Sequence, residues 1–265
     1  MIFTFSKHVR FRNERNFILV CDCKRLMDFK IGLKYKNFID KVNKGVDEKS
    51  IKNEKNMLLF KDLKKVKFLS PLTIRRIKKK EFKSAELLLQ KDLFKNKRPS
   101  VLSPRRLYNS FKKYPYFFIG VFLGGEIVGV IGGGGRKNTG EAVISVLCVN
   151  SKFRGRGLGK RLVEGFEKQA MKRGYNVVKL GSNDESIGFY KSLRYKPSIL
   201  IQIKKSKFNQ KIRNKIKRFK VILVNQVNNY KGVEIKCGKL DLNFLKKLKH
   251  DLKADAVQYL FTKEI

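Results

Sequence analysis

Arg154, Gly155, Arg156, Gly157, Leu158, Gly159 and Lys160 stand in one uninterrupted run. Alternating cations and glycines suit one kind of chemistry, the grip of a phosphate. Glycine lets the main chain approach an anion and turn backbone N–H groups towards it. The two arginines and the lysine add charge and hydrogen-bond donors. The run fits neither G-x-x-x-x-G-K-[ST] nor the dinucleotide G-x-G-x-x-G spacing, so these residues alone leave the ligand open. The other groups able to do chemistry nearby are carboxylates: Glu141, just before the run's strand, and Glu126.

Two elements must position the run. Before it, Val143, Ile144, Val146, Leu147 and Val149 read as a buried strand. After it, Leu162, Val163, Phe166 and Ala170 share one helical face, and Gly174 is the expected stop. A second strand is expected at Val177, Val178 and Leu180.

With these elements in order, Arg154-x-x-Gly157-x-Gly159 resembles the acetyl-CoA loop of the GNAT (Gcn5-related) N-acetyltransferase superfamily. The stretch from Asn183 through Phe189 and Tyr190 to Tyr195 resembles the second motif of that family. The resemblance spans about residues 70–203. It implies an α+β (mixed α/β) fold, with a central, mostly antiparallel sheet flanked by helices. It also implies transfer of an acetyl group from acetyl-CoA to a primary amine on a protein, peptide, tRNA or small molecule. By the same resemblance, Leu147, Val149 and the run from Arg154 to Lys160 hold the co-substrate, with the Val149 N–H facing the developing oxyanion. Asn183 contacts the cofactor arm, and Tyr190 protonates the leaving thiolate. The base is less determined: the central strand offers Ser145 where many members carry a carboxylate, which leaves Glu141, Glu126 or water. No metal is required. The alternative is a GNAT-fold protein that binds RNA or peptide without catalysis.

The charge bears on partners. Lys plus Arg number 63 against 22 acidic residues, a net of +41, so the excess is not a general enrichment in charged residues. Such a surface attracts polyanions. From Lys204 to Lys220 the chain carries nine basic residues and no acid, with Phe208, Ile212, Ile216 and Phe219 at helical spacing. RNA, another polyanion or a membrane surface fits such a segment, as does packing on its own domain. No apolar run reaches the roughly 18 residues of a membrane span, and the start lacks the order of a signal peptide. A cytoplasmic protein is expected. Four cysteines, Cys21, Cys23, Cys148 and Cys237, and two histidines form no zinc pattern. Cys21 and Cys23 are expected to face one side of a strand.

Three segments are expected. In residues 1–69, Phe3–Phe5, Val9–Phe11 and Phe17–Val20 read as strands and Leu33–Val42 as a helix, with a further element from Met57 to Val66. Their order resembles a PqqD-like peptide-recognition module. Residues 70–203 form the acetyltransferase domain. Within it, Glu81–Phe94 and the stretch after Ser103-Pro104 read as helices. The GNAT resemblance implies that these two helices help wall the acceptor site, with Tyr108 and Phe111 lining it. Phe117–Val130 reads as a hairpin, and Gly132–Gly135 as a mobile connection. Residues 204–265 form a basic α+β extension with strands at Val221–Val227, Gly232–Lys236 and Val257–Thr262 and a helix at Asp241–Lys253.

Overall fold

The computed structural model describes residues 2–94, 102–182, 184–227, 229–238 and 240–265. The chain forms two compact units. The first contains residues 1–133 and 146–169, the second residues 134–145 and 170–265.

In the first unit, β1 (Ile2–Phe5) pairs antiparallel with the short β5 (Val46–Asp47) on one side and with β6 (Leu69–Arg76) on the other. β6 continues to β7 (Ile119–Leu123), and β7 to β8 (Glu126–Arg136). Ser70 and Pro71 therefore lie inside a strand, and its ladder joins the first seventy residues to β7 and β8. A second sheet is a meander of β2 (Val9–Asn13), β3 (Phe17–Asp22) and β4 (Met27–Gly32). β4 is not among the expected strands, although Met27, Phe29 and Ile31 alternate with Asp28 and Lys30; of these five only Ile31 is buried. Helices α1 (Lys36–Lys44) and α2 (Glu54–Lys65) place Phe38, Ile39, Val42, Phe60 and Leu63 in one core with Phe3, Phe5, Ile18 and Val20.

The expected helix from Glu81 to Phe94 is present as α3 (Phe82–Leu88), which widens into a π-helical turn over Leu89–Leu93. It is fastened at its start by Glu81, whose carboxylate takes 2.8 Å hydrogen bonds from both guanidinium nitrogens of Arg75 and another from the Lys78 N–H. Residues 95–101, between the two expected helices, lie outside the described residues. Next, α4 (Pro104–Lys113) begins with proline at its first position. Ser103 occupies the N-cap position, but its side chain makes no capping hydrogen bond. Tyr108 and Phe111 pack with Phe82 and Phe118 in one aromatic cluster.

The glycine run 132–135 corrects an expectation. It is the second half of β8 and not a loose connection. The reason is close packing. A Cβ on Gly132 would come within 2.5 Å of the Phe118 ring, and one on Gly135 would fall on the Tyr175 hydroxyl. Phe118 and Tyr175 are both buried. Glycine here makes room for a ring over the strand rather than freeing the chain.

β9 (Glu141–Val149) runs through both units. In the second unit its first half pairs parallel with β10 (Val177–Ser182), from Glu141 beside Val177 to Ile144 beside Leu180. The other pairings of this unit are antiparallel. β11 (Lys196–Lys204) lies between β13 (Tyr230–Lys236) and β14 (Ala256–Glu264), and β12 (Val221–Val227) is at the edge beside β13. β14 lies between β10 and β11 and pairs with both. The strand after Tyr195 therefore does not complete the sheet by itself, because a strand some fifty residues further on is inserted beside it. Across these strands Lys179 Nζ meets Glu234 Oε2 at 2.6 Å, and Ser198 donates to Glu234 Oε1 at 2.5 Å. This satisfies an otherwise buried carboxylate. Helix α6 (Ile187–Ser192) follows β10, α7 (Gln210–Ile216) follows β11, and α8 (Leu242–Asp251) precedes β14.

Among the described residues no helix is long and apolar enough to cross a membrane, and no three His, Cys, Asp or Glu side chains come together. The four cysteines are free thiols. β3 ends at Asp22, so Cys23 is exposed just past the strand rather than sharing a strand face with Cys21.

Candidate functional site

In β9, Val146 and Cys148 are buried, while Leu147 and Val149 alternate with them and stay partly open. Strand geometry puts the latter two on the face opposite the core. Buried among apolar groups, the Cys148 thiol is pushed up to about 12, so it stays protonated and unreactive. Beyond Val149 the chain makes one tight turn over Ser151–Phe153 and enters the glycine run.

Gly155 and Gly157 both adopt left-handed backbone, with φ of 75° and 74°. A Cβ at either would meet nothing within 4 Å. The need for glycine here is therefore conformational, not steric crowding. Helix α5 (Leu158–Met171) starts inside the run, with Leu158, Gly159 and Lys160 as its first three residues, and the Arg161 N–H to Gly157 carbonyl is its first hydrogen bond. The N–H groups of the helix's first turn have no acceptor inside the helix. Leu158, Leu162, Val163, Phe166 and Ala170 are all buried along one face. The helix ends as expected, with Gly174 in the left-handed conformation and the Tyr175 N–H bonded to Ala170 O.

The loop is held from behind by a residue that sequence reasoning missed. Asp92, in the π-helical turn, accepts from the Ser151 N–H at 3.2 Å and from Asn150 Nδ2 at 3.4 Å. Arg154 reaches the Asp92 carbonyl at 3.5 Å and the Val149 carbonyl at 3.1 Å. It thus clamps the turn to the end of β9. Nothing around Asp92 in the sequence signals this role.

Arg156 turns the other way. Its guanidinium lies 4.9 Å from the centre of the Phe153 ring, a cation–π contact. Burial, and then the charge of Arg10, lower its pKa from the ordinary guanidinium value. Its Nη1 is buried without a hydrogen-bond partner. Arg161, one turn into α5 and likewise missed from sequence, donates through Nη2 to the carbonyls of Lys44 and Gly45, and its Nη1 is also buried and unpartnered. Lys160 is exposed, 3.9 Å from Glu164.

Tyr190, on α6, is 6% exposed and packed against Phe189, Tyr195 and Phe261. Burial pushes its hydroxyl up to about 12. At neutral pH it keeps its proton and can only donate it. Asn183 lies outside the described residues. Glu141 is held by Arg136 at 3.2 Å and Lys179 at 3.8 Å. It begins β9, the strand that Val149 ends. Glu126 is exposed and pairs with Lys7.

Residues 83–195 match the model of the acetyltransferase (GNAT) family. Among solved structures, the chain is similar to Ard1 from Thermoplasma volcanium, with 20% identity over 63% of this chain and 99% of that one, TM-score 0.43. It is similar to Arabidopsis thaliana Naa50 in complex with a bisubstrate analogue, with 18% identity over 63% and 99%, TM-score 0.41. It is also similar to the ribosomal-protein-S18-alanine N-acetyltransferase from Escherichia coli, with 16% identity over 65% and 99%, TM-score 0.42. The segment that holds the glycine loop, α5, β10 and Tyr190 is thus one that matches a GNAT acetyltransferase domain.

Proposed function

We propose that the protein transfers an acetyl group from acetyl-CoA to a primary amine. The observation that carries this reading is the glycine loop: two open, left-handed glycines lead into a helix N-terminus. Gly155, Gly157 and Gly159 hold a pyrophosphate through the backbone, and Arg156 and Lys160 add charge, while Arg154 and Asp92 keep the loop in shape. Leu147 and Val149 border the pantetheine arm, and the Val149 N–H faces the acetyl oxygen. The co-substrate supplies a thioester whose C–S bond breaks as the amine nitrogen bonds to the acetyl carbon. Tyr190 gives its proton to the departing sulfur, a role that rests on the motif it stands in; burial keeps its hydroxyl protonated and makes it a weaker acid than an exposed tyrosine.

For removal of the amine proton we favour water over Glu141. Two ion pairs occupy that carboxylate, and it stands at the far end of β9 from Val149. The acceptor's wider identity is left as a primary amine. For a peptide acceptor recognised by residues 1–69, the support is a cleft of about 310 Å³ lined by Phe38, Lys41, Val46, Ile51 and Lys52.

The test is titration calorimetry with acetyl-CoA, followed by kinetics on an identified amine. Gly157→Glu and Gly159→Glu lower affinity at least tenfold, about 1.4 kcal/mol. Tyr190→Phe keeps affinity and lowers kcat by roughly 10²- to 10⁴-fold. Glu141→Gln leaves kcat within about twofold if water is the base. Folded glycine variants that bind as tightly as the parent overturn the loop assignment. Tight binding with no turnover of any amine favours the alternative of a GNAT-fold binder.

A further inference from the structure

The second unit carries a cationic surface that acetyl transfer does not use. Along α8 and the turn after it, Lys246, Lys249, His250 and Lys253 recur at positions i, i+3, i+4 and i+7, which places them on one helical face. The opposite face is apolar and buried through Leu245, Leu248 and Leu252. Those four residues, together with Lys207 from the turn after β11, line a cleft of about 530 Å³. Lys207 is paired with Asp255 at 2.9 Å. His250 Nδ1 lies 3.4 Å from Asp251 Oδ1, while among the described residues Lys246, Lys249 and Lys253 make no ion pair.

The basic segment after Lys204 adds to the same surface. Its helix α7 is shorter than the sequence suggests, and Ile212 and Ile216 are buried. Phe219 lies 6.3 Å from Phe244 of α8. Lys215 donates to the Asp251 carbonyl at 2.8 Å. The apolar residues that would anchor this segment in a bilayer are thus used inside the unit, and its cations are left outside. The exposed aliphatics Val221 to Val224 lie on the edge strand β12, whose pairing with β13 is broken by a bulge between Val221 and Leu223.

We propose that this surface binds RNA through its phosphate backbone, with the cleft bounded by Lys207 and the cationic face of α8 as its centre. The occupant is a repeating anion, because Lys246, Lys249 and Lys253 are spread over two turns, about 10 Å at the rise of a helix, which is more than one phosphate covers. The inference is independent of the acetyl-transfer reading.

The experiment measures binding of a single-stranded oligoribonucleotide to the full chain over a range of salt, by fluorescence anisotropy. The parent protein binds near physiological salt, and log K falls linearly with log salt at about −0.7 per phosphate contacted. The triple variant Lys246→Gln, Lys249→Gln, Lys253→Gln flattens that slope by about two units. Its acetyl-CoA affinity and melting temperature remain those of the parent, which separates loss of the surface from loss of the fold. Absence of RNA binding at physiological salt overturns the proposal. So does an unchanged slope in the triple variant, equal competition by polyglutamate, or preference for vesicles of phosphatidylserine and phosphatidylcholine over RNA.

Discussion

Two glycine-rich stretches look alike as sequence and serve opposite ends. At Gly155 and Gly157 the chain needs a left-handed backbone, and the space where a side chain would go is empty. At Gly132 and Gly135 the backbone is an ordinary strand, and that space is filled by the rings of Phe118 and Tyr175. In one region glycine supplies conformation and leaves room for a ligand. In the other it supplies only the absence of a side chain, so that the core closes. Glycine content alone therefore says nothing about mobility or binding. What distinguishes the two is φ and the nearest neighbour.

The largest expected effect tests the crowded stretch. Gly132→Ala pushes a methyl group against Phe118 and lowers unfolding free energy in urea by about 1–3 kcal/mol. In a Phe118→Leu background the same substitution is about 1 kcal/mol less costly, because the pair is coupled. Equal penalties in both backgrounds mean that the ring is not the reason for glycine. A smaller effect is expected in the open stretch. Gly157→Ala costs about 1–2 kcal/mol from backbone strain alone, and no neighbouring substitution relieves it. Gly157→Asn recovers part of the loss, since asparagine tolerates this conformation. Recovery by shrinking a neighbour would erase the distinction between the two stretches.

The smallest effect concerns what holds the aromatic wall over Gly132. Phe82 of α3 packs against Phe118, and α3 is fastened by the Arg75–Glu81 pair. The Arg75 hydrogen bonds hold the Glu81 carboxyl at about 2, below its ordinary 4.5. A depressed carboxyl stabilises the fold fully above its unfolded value and ceases to do so as pH falls through the folded one. The stability difference between the parent and Glu81→Gln should be flat above about pH 5 and shrink between 4.5 and about 2. A difference independent of pH across that window excludes the pair as its source.

Much of the fold is legible in the sequence wherever one residue's type decides its fate. The alternation in β9, the buried face of α5 and the Gly174 stop follow from local period and backbone preference. The order of the two stretches that resemble GNAT motifs locates the loop. What escapes is set by distant neighbours. Asp92 matters because a π-helical turn carries it to Ser151. Arg161 matters because α1 ends beside it at Lys44. The glycines of β8 are strand residues because two rings cover them. The basic segment after Lys204 shows the helical spacing read from sequence, yet Ile212 and Ile216 are buried and Phe219 packs on Phe244 of α8. No local pattern reports such partners.

The insertion of β14 between β10 and β11 sets a timetable for synthesis. Val177 on β10 pairs with Glu264, and Ile199 on β11 with Tyr259. While the ribosome is still reading the stretch before Ala256, β10 and β11 each have an unpaired edge facing the other, and closing the gap early would exclude the strand that belongs there. The second unit can therefore settle only after residues 256–264 have emerged, whereas the ladder from β1 to β8 depends only on chain already made. During that interval the open edges of β10 and β11 are the part of the nascent chain most exposed to mispairing and most in need of a chaperone.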